Sequence, residues 1–282
     1  MPNVLTQLSD AISDVVAAAG PSIVRIDGAR HSPVSGIAWS NDLVITASHA
    51  LRTRDGISVT GDDGQSFAAT VVGGDAGTDV ALLRVENASL RPMPWSEREP
   101  RAGNFVIVAG RPGRSVRASV GVASAVGGEW RAFDGSRIDH YIDVDASLPR
   151  GFSGGPLLDT EGASHGMNTS GVTRGGTTIP RKTLQRVVEE LLKHGTVRRP
   201  MIGIGVYPVE GGLLVMSVKD GSSAATSGIQ VGDIVTSIDG TAVHSPGKLH
   251  ALLQSAAIGK EVEIGLKRGS ETRTLELTVG SM

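Results

Sequence analysis

A serine set among glycines, Gly151-Phe-Ser-Gly-Gly-Pro156, is the stretch of this 282-residue chain whose residue types speak most directly of chemistry. A seryl hydroxyl is a weak nucleophile unless a neighbouring base takes its proton as it attacks. Flanking glycines allow a tight loop in which backbone N–H groups can converge on a developing oxyanion, and such preorganised donors are worth ~3 kcal/mol or more. Alone, the segment also reads as a glycine-rich turn with an incidental serine. Two upstream segments supply what the serine lacks. Thr46-Ala-Ser-His49 puts an imidazole directly after the apolar run Leu43–Thr46, and Thr78-Asp79-Val-Ala-Leu-Leu83 puts a carboxylate at the entrance of another. His49, Asp79 and Ser153 follow one another at separations of 30 and 74 residues. Each has a plain reading by itself, as a loop histidine or a carboxylate at a strand end. Together they make a Ser/His/Asp constellation.

The remaining chemical candidates are weaker. Asp75 lies near Asp79, but Asp79 directly precedes the apolar run. His31, His140 and His165 have no metal-ligand spacing, no His-Glu-x-x-His occurs, and there is no cysteine for a thiolate or a Cys-ligated zinc. They read as loop or strand-edge histidines, and no metal or cofactor is expected.

The order His, Asp, Ser is that of chymotrypsin-type triads, not the subtilisin or α/β-hydrolase orders. The elements that must hold these residues are short. Hydrophobic residues make up 39% of the chain and aromatics only 3%, while 38 glycines punctuate β-branched runs such as Val106-Ile-Val-Ala109, which predicts an all-β barrel or sandwich. Further strand-like runs are Ser22–Ile26, Leu43–Thr46, Val80–Leu83, Phe105–Val108 and Tyr141–Val144. Val4, Leu8, Ile12, Val15 and Ala19 recur at helical spacing, so residues 4–18 are read as an amphipathic helix stopped by Gly20-Pro21. A second helix is expected from Arg181 to Lys193, ended by His194-Gly195. Thr196–Pro200 reads as a linker.

Net charge is −2 and evenly spread, without the basic footprint of a nucleic-acid binder. Arg111, Arg114 and Arg117 form the nearest approach to a cluster and read as a solvated loop. No apolar run reaches the ~20 residues needed to span a bilayer. Residues Met1–Asp10 lack the basic and apolar regions of a signal peptide. Read as the natural start, they imply a cytoplasmic protein. A chain trimmed of its leader would be periplasmic or exported.

Thr-Ala-x-His, Asp-x-Ala-Leu-Leu and Asp145-Ala-Ser-Leu-Pro-Arg-Gly-Phe-Ser-Gly-Gly-Pro-Leu-Leu-Asp159 resemble the three catalytic segments of HtrA/Deg serine proteases. Gly103–Gly113 and Thr178-Ile-Pro-Arg181 resemble that family too. The resemblance implies an all-β protein with a few helices, its two six-stranded antiparallel β-barrels of chymotrypsin-like form holding the site between them. It makes His49 the general base, Asp79 its orienting partner and Ser153 the nucleophile, with the amides of Gly151 and Ser153 as oxyanion hole. Ser147, Leu148 and Arg150 would border the primary specificity pocket, and Asn168, Thr169 and Ser170 would pair with substrate backbone. For Arg150 a solvated surface arginine is the plainer reading. A pocket without a buried carboxylate leaves Lys or Arg unpaired, so cleavage is expected after small or medium apolar residues. The family usually has Asn-Pro-Gly-Asn before the serine, and Pro149-Arg-Gly-Phe152 departs from it. Phe152 stands where trypsin-like zymogens need an acidic partner for a new N-terminus. Homotrimers typify the family, although residues 1–30 lack the aromatic residues that help hold such trimers.

Gly212–Val218, Ser223–Ile229 and Gly232-Asp-Ile-Val-Thr-Ser-Ile-Asp-Gly240 resemble a bacterial PDZ domain. The implied division is an N-terminal helix and lead-in at 1–20, a trypsin-like domain at 21–195, a linker at 196–200 and a PDZ domain at 201–282. By that resemblance Met201, Ile202, Gly203 and Ile204 capture the C-terminal carboxylate of a polypeptide, with Leu249, Leu252 and Leu253 as the apolar wall, at least one of them filling the core instead. The function implied is a serine endopeptidase acting on unfolded or misfolded proteins through an acyl-enzyme, with PDZ capture of peptides. A non-catalytic peptide-binding or holdase protein with a relic protease fold is the alternative.

Overall fold

The computed structural model describes residues 3–28, 32–51, 56–132, 136–173 and 175–281, so His31 lies outside the described residues. The chain divides into two units, Met1–Val197 and Arg198–Met282. In the first, α1 (Val4–Ala19) starts at Asn3, whose side chain accepts a hydrogen bond from the Thr6 amide. Ile12, Val15 and Val16 pack on the core, while Val4, Leu5 and Leu8 at the other end are exposed.

Strands β1 (Ile23–Asp27), β2 (Val34–Ala38), β3 (Leu43–Ala47), β4 (Ile57–Thr60), β5 (Ser66–Asp75) and β6 (Val80–Val85) close into a barrel in the order β1-β2-β3-β6-β5-β4. A second set follows, with β7 (Phe105–Gly110), β8 (Arg117–Gly127), the short pair β9 (Trp130–Arg131) and β10 (Arg137–Ile138), β11 (Tyr141–Val144), β12 (Pro156–Leu158), β13 (Ser164–Thr169) and β14 (Thr177–Pro180). Six of these form a sheet in the order β11-β8-β7-β12-β13-β14 whose end strands, β11 and β14, lie side by side. The second barrel is thus nearly closed rather than fully laddered. Helix α2 (Arg181–His194) ends at Gly195, whose φ of 69° is the left-handed conformation glycine adopts without strain.

One apolar cluster joins the two barrels. Ile23, Ile37, Ile45 and Leu82 from the first meet Ile107, Leu158, Met167 and Ile179 from the second, with Leu184, Val187 and Leu191 of α2. Each such side chain is worth ~1.5–3 kcal/mol when fully buried, so the two halves that carry the candidate residues are fastened together.

Two expectations are corrected. Arg111 is not part of a solvated loop: it is 5% exposed, and its guanidinium donates to the carbonyls of Ile23, Gly20 and Arg114 at 2.7, 2.8 and 2.9 Å. Three carbonyl acceptors hold the charge where water does not reach, while Arg114 and Arg117 are exposed as expected. His165 is not at a strand edge either, since it lies buried in β13, between β12 and β14, where burial lowers its pKa. His140 is half-buried and pairs with Glu99 at 3.0 Å.

The second unit contains β15 (Pro200–Met201), β16 (Ile204–Val209), β17 (Gly212–Val218), α3 (Ser223–Thr226), β18 (Ile234–Ile238), β19 (Thr241–Ala242), α4 (Pro246–Ala256), β20 (Glu261–Arg268), β21 (Glu271–Thr278) and β22 (Gly280–Ser281). Its sheet runs β16-β17-β18-β20-β21, with β19 on β18 and β15 on β22, so β16 keeps one edge free among the described residues. Asp233, buried, accepts two hydrogen bonds from Arg268, both at 2.7 Å, and one from the Gln230 amide at 2.8 Å. The guanidinium bonds hold its pKa below the usual carboxylate range.

Candidate active site

Strands β3 and β6 are antiparallel neighbours, with Ala47 opposite Val80. A residue just after β3 and one just before β6 therefore emerge at the same end of the ladder. His49 sits in the turn that follows β3, and Asp79 immediately precedes β6. The Asp79 backbone adopts φ 57°, a left-handed conformation that aspartate tolerates better than most side chains. Its carbonyl accepts the Ser48 amide at 3.0 Å. The carboxylate, 2% exposed, then receives three donors. Oδ1 accepts the His49 backbone N–H at 2.7 Å, and Oδ2 accepts His49 Nδ1–H at 2.6 Å and the Thr169 hydroxyl. An ionised carboxylate only accepts, so Nδ1 carries the proton and Nε2 bears the lone pair of the neutral ring. The Asp79 hydrogen bond raises the His49 pKa above the ordinary 6.5, against the lowering effect of partial burial.

The other half of the site is positioned by β12 and β13, paired with Pro156 opposite Met167. Ser153 comes shortly before β12 and Ser170 just after β13, so the two again share one end. Ser153 Oγ lies 3.2 Å from Ser170 Oγ and accepts the Ser170 amide at 3.4 Å. Among the described residues, Ser170 and not His49 is the hydrogen-bond partner of the Ser153 hydroxyl. Both His49 and Ser153 line one cleft of about 300 Å³, together with Ser32, Val34, Ala50, Leu148, Pro149, Arg150, Gly151 and Ser170.

The loop before Ser153 is a tight turn in which the Phe152 amide donates to the Pro149 carbonyl at 3.0 Å. Gly151 occupies its third position with φ 87°, a conformation that favours glycine. Phe152, 2% exposed, packs with Val106, Val108, Ile142 and Leu157. An apolar anchor therefore holds the loop where an ion pair would in a zymogen-type enzyme. Among the described residues, the amides of Gly151 and Ser153 have no acceptor.

Of the expected substrate contacts, Leu148, Arg150 and Ser170 line the cleft, whereas Ser147, Asn168 and Thr169 are not among its lining residues. Ser147 is exposed, and its amide donates to Ser119 at 3.2 Å. The side chains of Asn168 and Thr169 turn inward. Asn168 accepts the Thr178 hydroxyl at 2.8 Å, and its backbone exchanges hydrogen bonds with Gly154 and Gly155. Thr169 holds Asp79 instead of facing the cleft, and accepts the Gly171 amide at 3.0 Å. Two residues of the site carry no motif. Gly171 passes so close that a Cβ there would lie 2.3 Å from Asp79 Oδ2 and 2.7 Å from His49 Nδ1. Ser35, in the apolar strand Val34-Ser-Gly-Ile-Ala38, donates through Oγ to the Gly151 carbonyl at 2.7 Å. A polar residue in the middle of a buried strand was the one available signal.

In the second unit, Met201, Ile202 and Gly203 line a small cavity of about 160 Å³ beside Lys219 and Ser222. The Ile202 and Gly203 amides have no acceptor among the described residues. Ile204 opens β16, and α4 packs against β15 and β16. Leu249 and Leu253 fill the core of the unit, while Leu252 is half-buried against it.

Residues 34–167 match the family model of the trypsin-like peptidase domain, and residues 200–279 match that of the PDZ domain. A probable periplasmic serine endoprotease, DegP-like, from Brucella suis biovar 1 (strain 1330) is 30% identical over 272 residues, a match covering 88% of this chain and 52% of the relative. The chain belongs to the HtrA/Deg family. It spans about half the length of that HtrA/Deg relative. A serine endoprotease structure from Yersinia pestis is 26% identical with a TM-score of 0.76, covering 100% of this chain and 99% of that one. The HtrA-type protease AlgW with a decapeptide, 23% identical, shares the fold at a TM-score of 0.75, covering 96% of this chain and 98% of that one. Among the described residues of this HtrA/Deg chain, no helix is long and apolar enough to cross a membrane.

Proposed function

We propose that the chain is a serine endopeptidase that cleaves unfolded or misfolded polypeptides through an acyl-enzyme on Ser153. The observation that carries this reading is one cleft holding the His49 imidazole, the Ser153 hydroxyl and two amides that have no acceptor among the described residues. Substrate binding turns Ser153 Oγ from Ser170 toward His49 Nε2. Nε2 takes the hydroxyl proton as Oγ bonds to the scissile carbonyl carbon, and the carbonyl oxygen gains the negative charge. The Gly151 and Ser153 amides then donate to that oxygen. Asp79 stabilises the imidazolium through Nδ1–H. The proton on Nε2 passes to the leaving amine as the C–N bond breaks, and water then releases the acyl group by the same route in reverse.

Val34, Ala50 and Leu148 give the cleft apolar walls and none of its lining residues among the described residues is acidic, which supports cleavage after small or medium apolar residues such as Val, Ala or Leu. Arg150 stands at the rim. The second unit, residues 201–282 beyond a linker at 196–200, captures C-terminal peptides at Met201–Ile204 and along β16. A homotrimer is the assembly proposed from the family likeness.

Ser153→Ala removes only one hydroxyl, so it is expected to keep the fold and lose fluorophosphonate labelling and casein cleavage, with kcat down ~10⁴-fold or more. Wild-type protein labelled at Ser153 and degrading casein would support the reading. Casein degradation by Ser153→Ala at the wild-type rate would overturn it, and an unlabelled, inactive wild type would favour the non-catalytic peptide-binding alternative.

A further inference from the structure

Oxyanion stabilisation depends on where two amides point, and a peptide's orientation is fixed when both its polar atoms are engaged. In the Gly151–Phe152 peptide both are. The N–H donates to the Pro149 carbonyl at 3.0 Å, and the C=O accepts the Ser35 hydroxyl at 2.7 Å. The Ser153 carbonyl is engaged as well, by the Ser35 amide at 3.3 Å. One residue thus binds the carbonyls of both amino acids whose own N–H groups have no acceptor among the described residues. Those two residues both line the cleft.

Ser35 is itself held on every side. It is 0% exposed. Its Oγ accepts the Arg111 amide at 2.8 Å, which aims the hydroxyl proton at Gly151, and its carbonyl accepts the Thr46 hydroxyl at 2.7 Å. Arg111 is anchored in turn, its guanidinium bound to the carbonyls of Gly20, Ile23 and Arg114. Gly154 and Gly110 crowd the same place: a Cβ on Gly154 would lie 2.0 Å from the Ser35 carbonyl oxygen, and one on Gly110 would lie 2.6 Å from Ser35 Oγ.

We propose that Ser35 is a positioning residue for the reaction at Ser153, acting as the clamp that keeps the Gly151 and Ser153 amides facing the substrate oxyanion, with Arg111 fixing its hydroxyl. The proposal rests on the protease reading above. It gives this chain a neutral clamp, buried in the first barrel, in place of the ion pair that orders the loop in zymogen-type enzymes.

The test is a comparison of wild type, Ser35→Ala, Ser35→Thr and Val59→Ala on one peptide substrate with an apolar residue before the scissile bond. Val59→Ala is a control for stability alone, buried in the first barrel's core and not among the residues that line the cleft. Removing one oxyanion donor costs ~10²–10³ in kcat, and loosening both should cost Ser35→Ala about 10-fold to 100-fold in kcat. KM should stay within about 2-fold, because only the transition state bears the oxyanion. The affinity of a peptide aldehyde, whose adduct carries that oxygen, should fall with kcat. Ser35→Thr, which keeps the hydroxyl, should recover most of the rate, and Val59→Ala should keep kcat at a similar loss of Tm. Wild-type kcat and aldehyde affinity in folded Ser35→Ala would overturn the proposal and leave the protease reading intact. An equal kcat loss in Val59→Ala would also overturn it. If Ser35→Ala does not fold, Ser35→Cys keeps a side chain with a weaker donor and is read the same way; failure of both to fold would assign Ser35 to the fold alone. A wild type that neither cleaves nor labels would overturn the protease reading, and this inference with it.

Discussion

The carboxylate of Asp79 is the most heavily used group in the candidate site, with three donors on two oxygens. Its effect on His49 makes a prediction with a definite sign. A general base works only when neutral, so the proposed activity rises with pH through the His49 pKa. That pKa lies above 6.5, chiefly because of the Asp79 hydrogen bond, so the acid limb of kcat/KM should inflect above the value of an ordinary histidine. Asp79→Asn removes both raising causes, the hydrogen bond to a carboxylate and its charge, and leaves burial, which lowers. Its inflection should move to lower pH while kcat falls ~10⁴-fold, as the equivalent change does in the trypsin-type triad. A pH profile on a chromogenic peptide reads both, and an unmoved inflection in Asp79→Asn would show that another group titrates. His49, Asp79 and Ser153 were legible in the sequence because each stands next to an apolar strand or inside a glycine loop. Thr169 was legible only as part of a strand, since its hydroxyl meets Asp79 across 90 residues of chain and no local pattern marks that. Ser35 and Gly151 are 116 residues apart, and the same reason applies.

At the scale of elements, two strand pairs do the positioning: β3–β6 carries His49 and Asp79, and β12–β13 carries Ser153 and Ser170. Their strands were legible because β-branched runs alternate with glycines and polar turns. The closure of the barrels was legible only through the family resemblance and not from the strand pattern, because it depends on register: β5 meets β6 with a shift between Val71 and Gly73, and β12 meets β13 with one between Leu157 and Leu158. Bulges of this kind bend a strand without leaving a composition signal. The two pairs meet at Gly171, directly beyond β13, where there is no room for a side chain beside the Asp79 carboxylate. Gly171 is exposed and outside the core, but a Cβ there meets the buried Asp79 carboxylate, so Gly171→Ala should keep the fold with only a modest fall in Tm. Its methyl group would displace the Asp79–His49 pair. Misplacement by about 1 Å can cost ~10²-fold, so kcat should fall by about that factor. A Gly171→Ala protein with wild-type kcat would mean that the close approach is relieved by movement of the loop after β13 and that the imidazole is not held there.

At the scale of the whole molecule the chain carries a trypsin-like peptidase domain and a PDZ domain. The sequence marked both through motifs, but it could not apportion the leucines of α4, because core-facing and groove-facing residues share the same helical spacing. Leu249 and Leu253 are core, which leaves Leu252 as the half-buried candidate beside a bound peptide. Among the described residues strand β16 has one free edge, so an incoming strand can add to the sheet by β-augmentation. Immediately before it, the Ile202 and Gly203 amides have no acceptor among the described residues, and Gly203 takes φ 83°. Successive unpaired N–H groups of this kind form a cradle for an anion. A peptide ending in a free Val or Leu carboxylate should therefore bind the 282-residue Ser153→Ala chain more tightly than the same peptide ending in its amide. A charge-assisted hydrogen bond is worth ~1.5–3 kcal/mol, or about 10-fold to 100-fold in affinity. Titration followed by calorimetry measures the difference, with Ser153→Ala used so that the peptide survives. A third peptide ending in Lys should bind worse than the Val form if Met201 and Leu252 supply an apolar seat. Equal affinity of carboxylate and amide would mean that the loop at Met201–Ile204 does not read a chain end, and the unit would then bind internal extended segments along β16 instead.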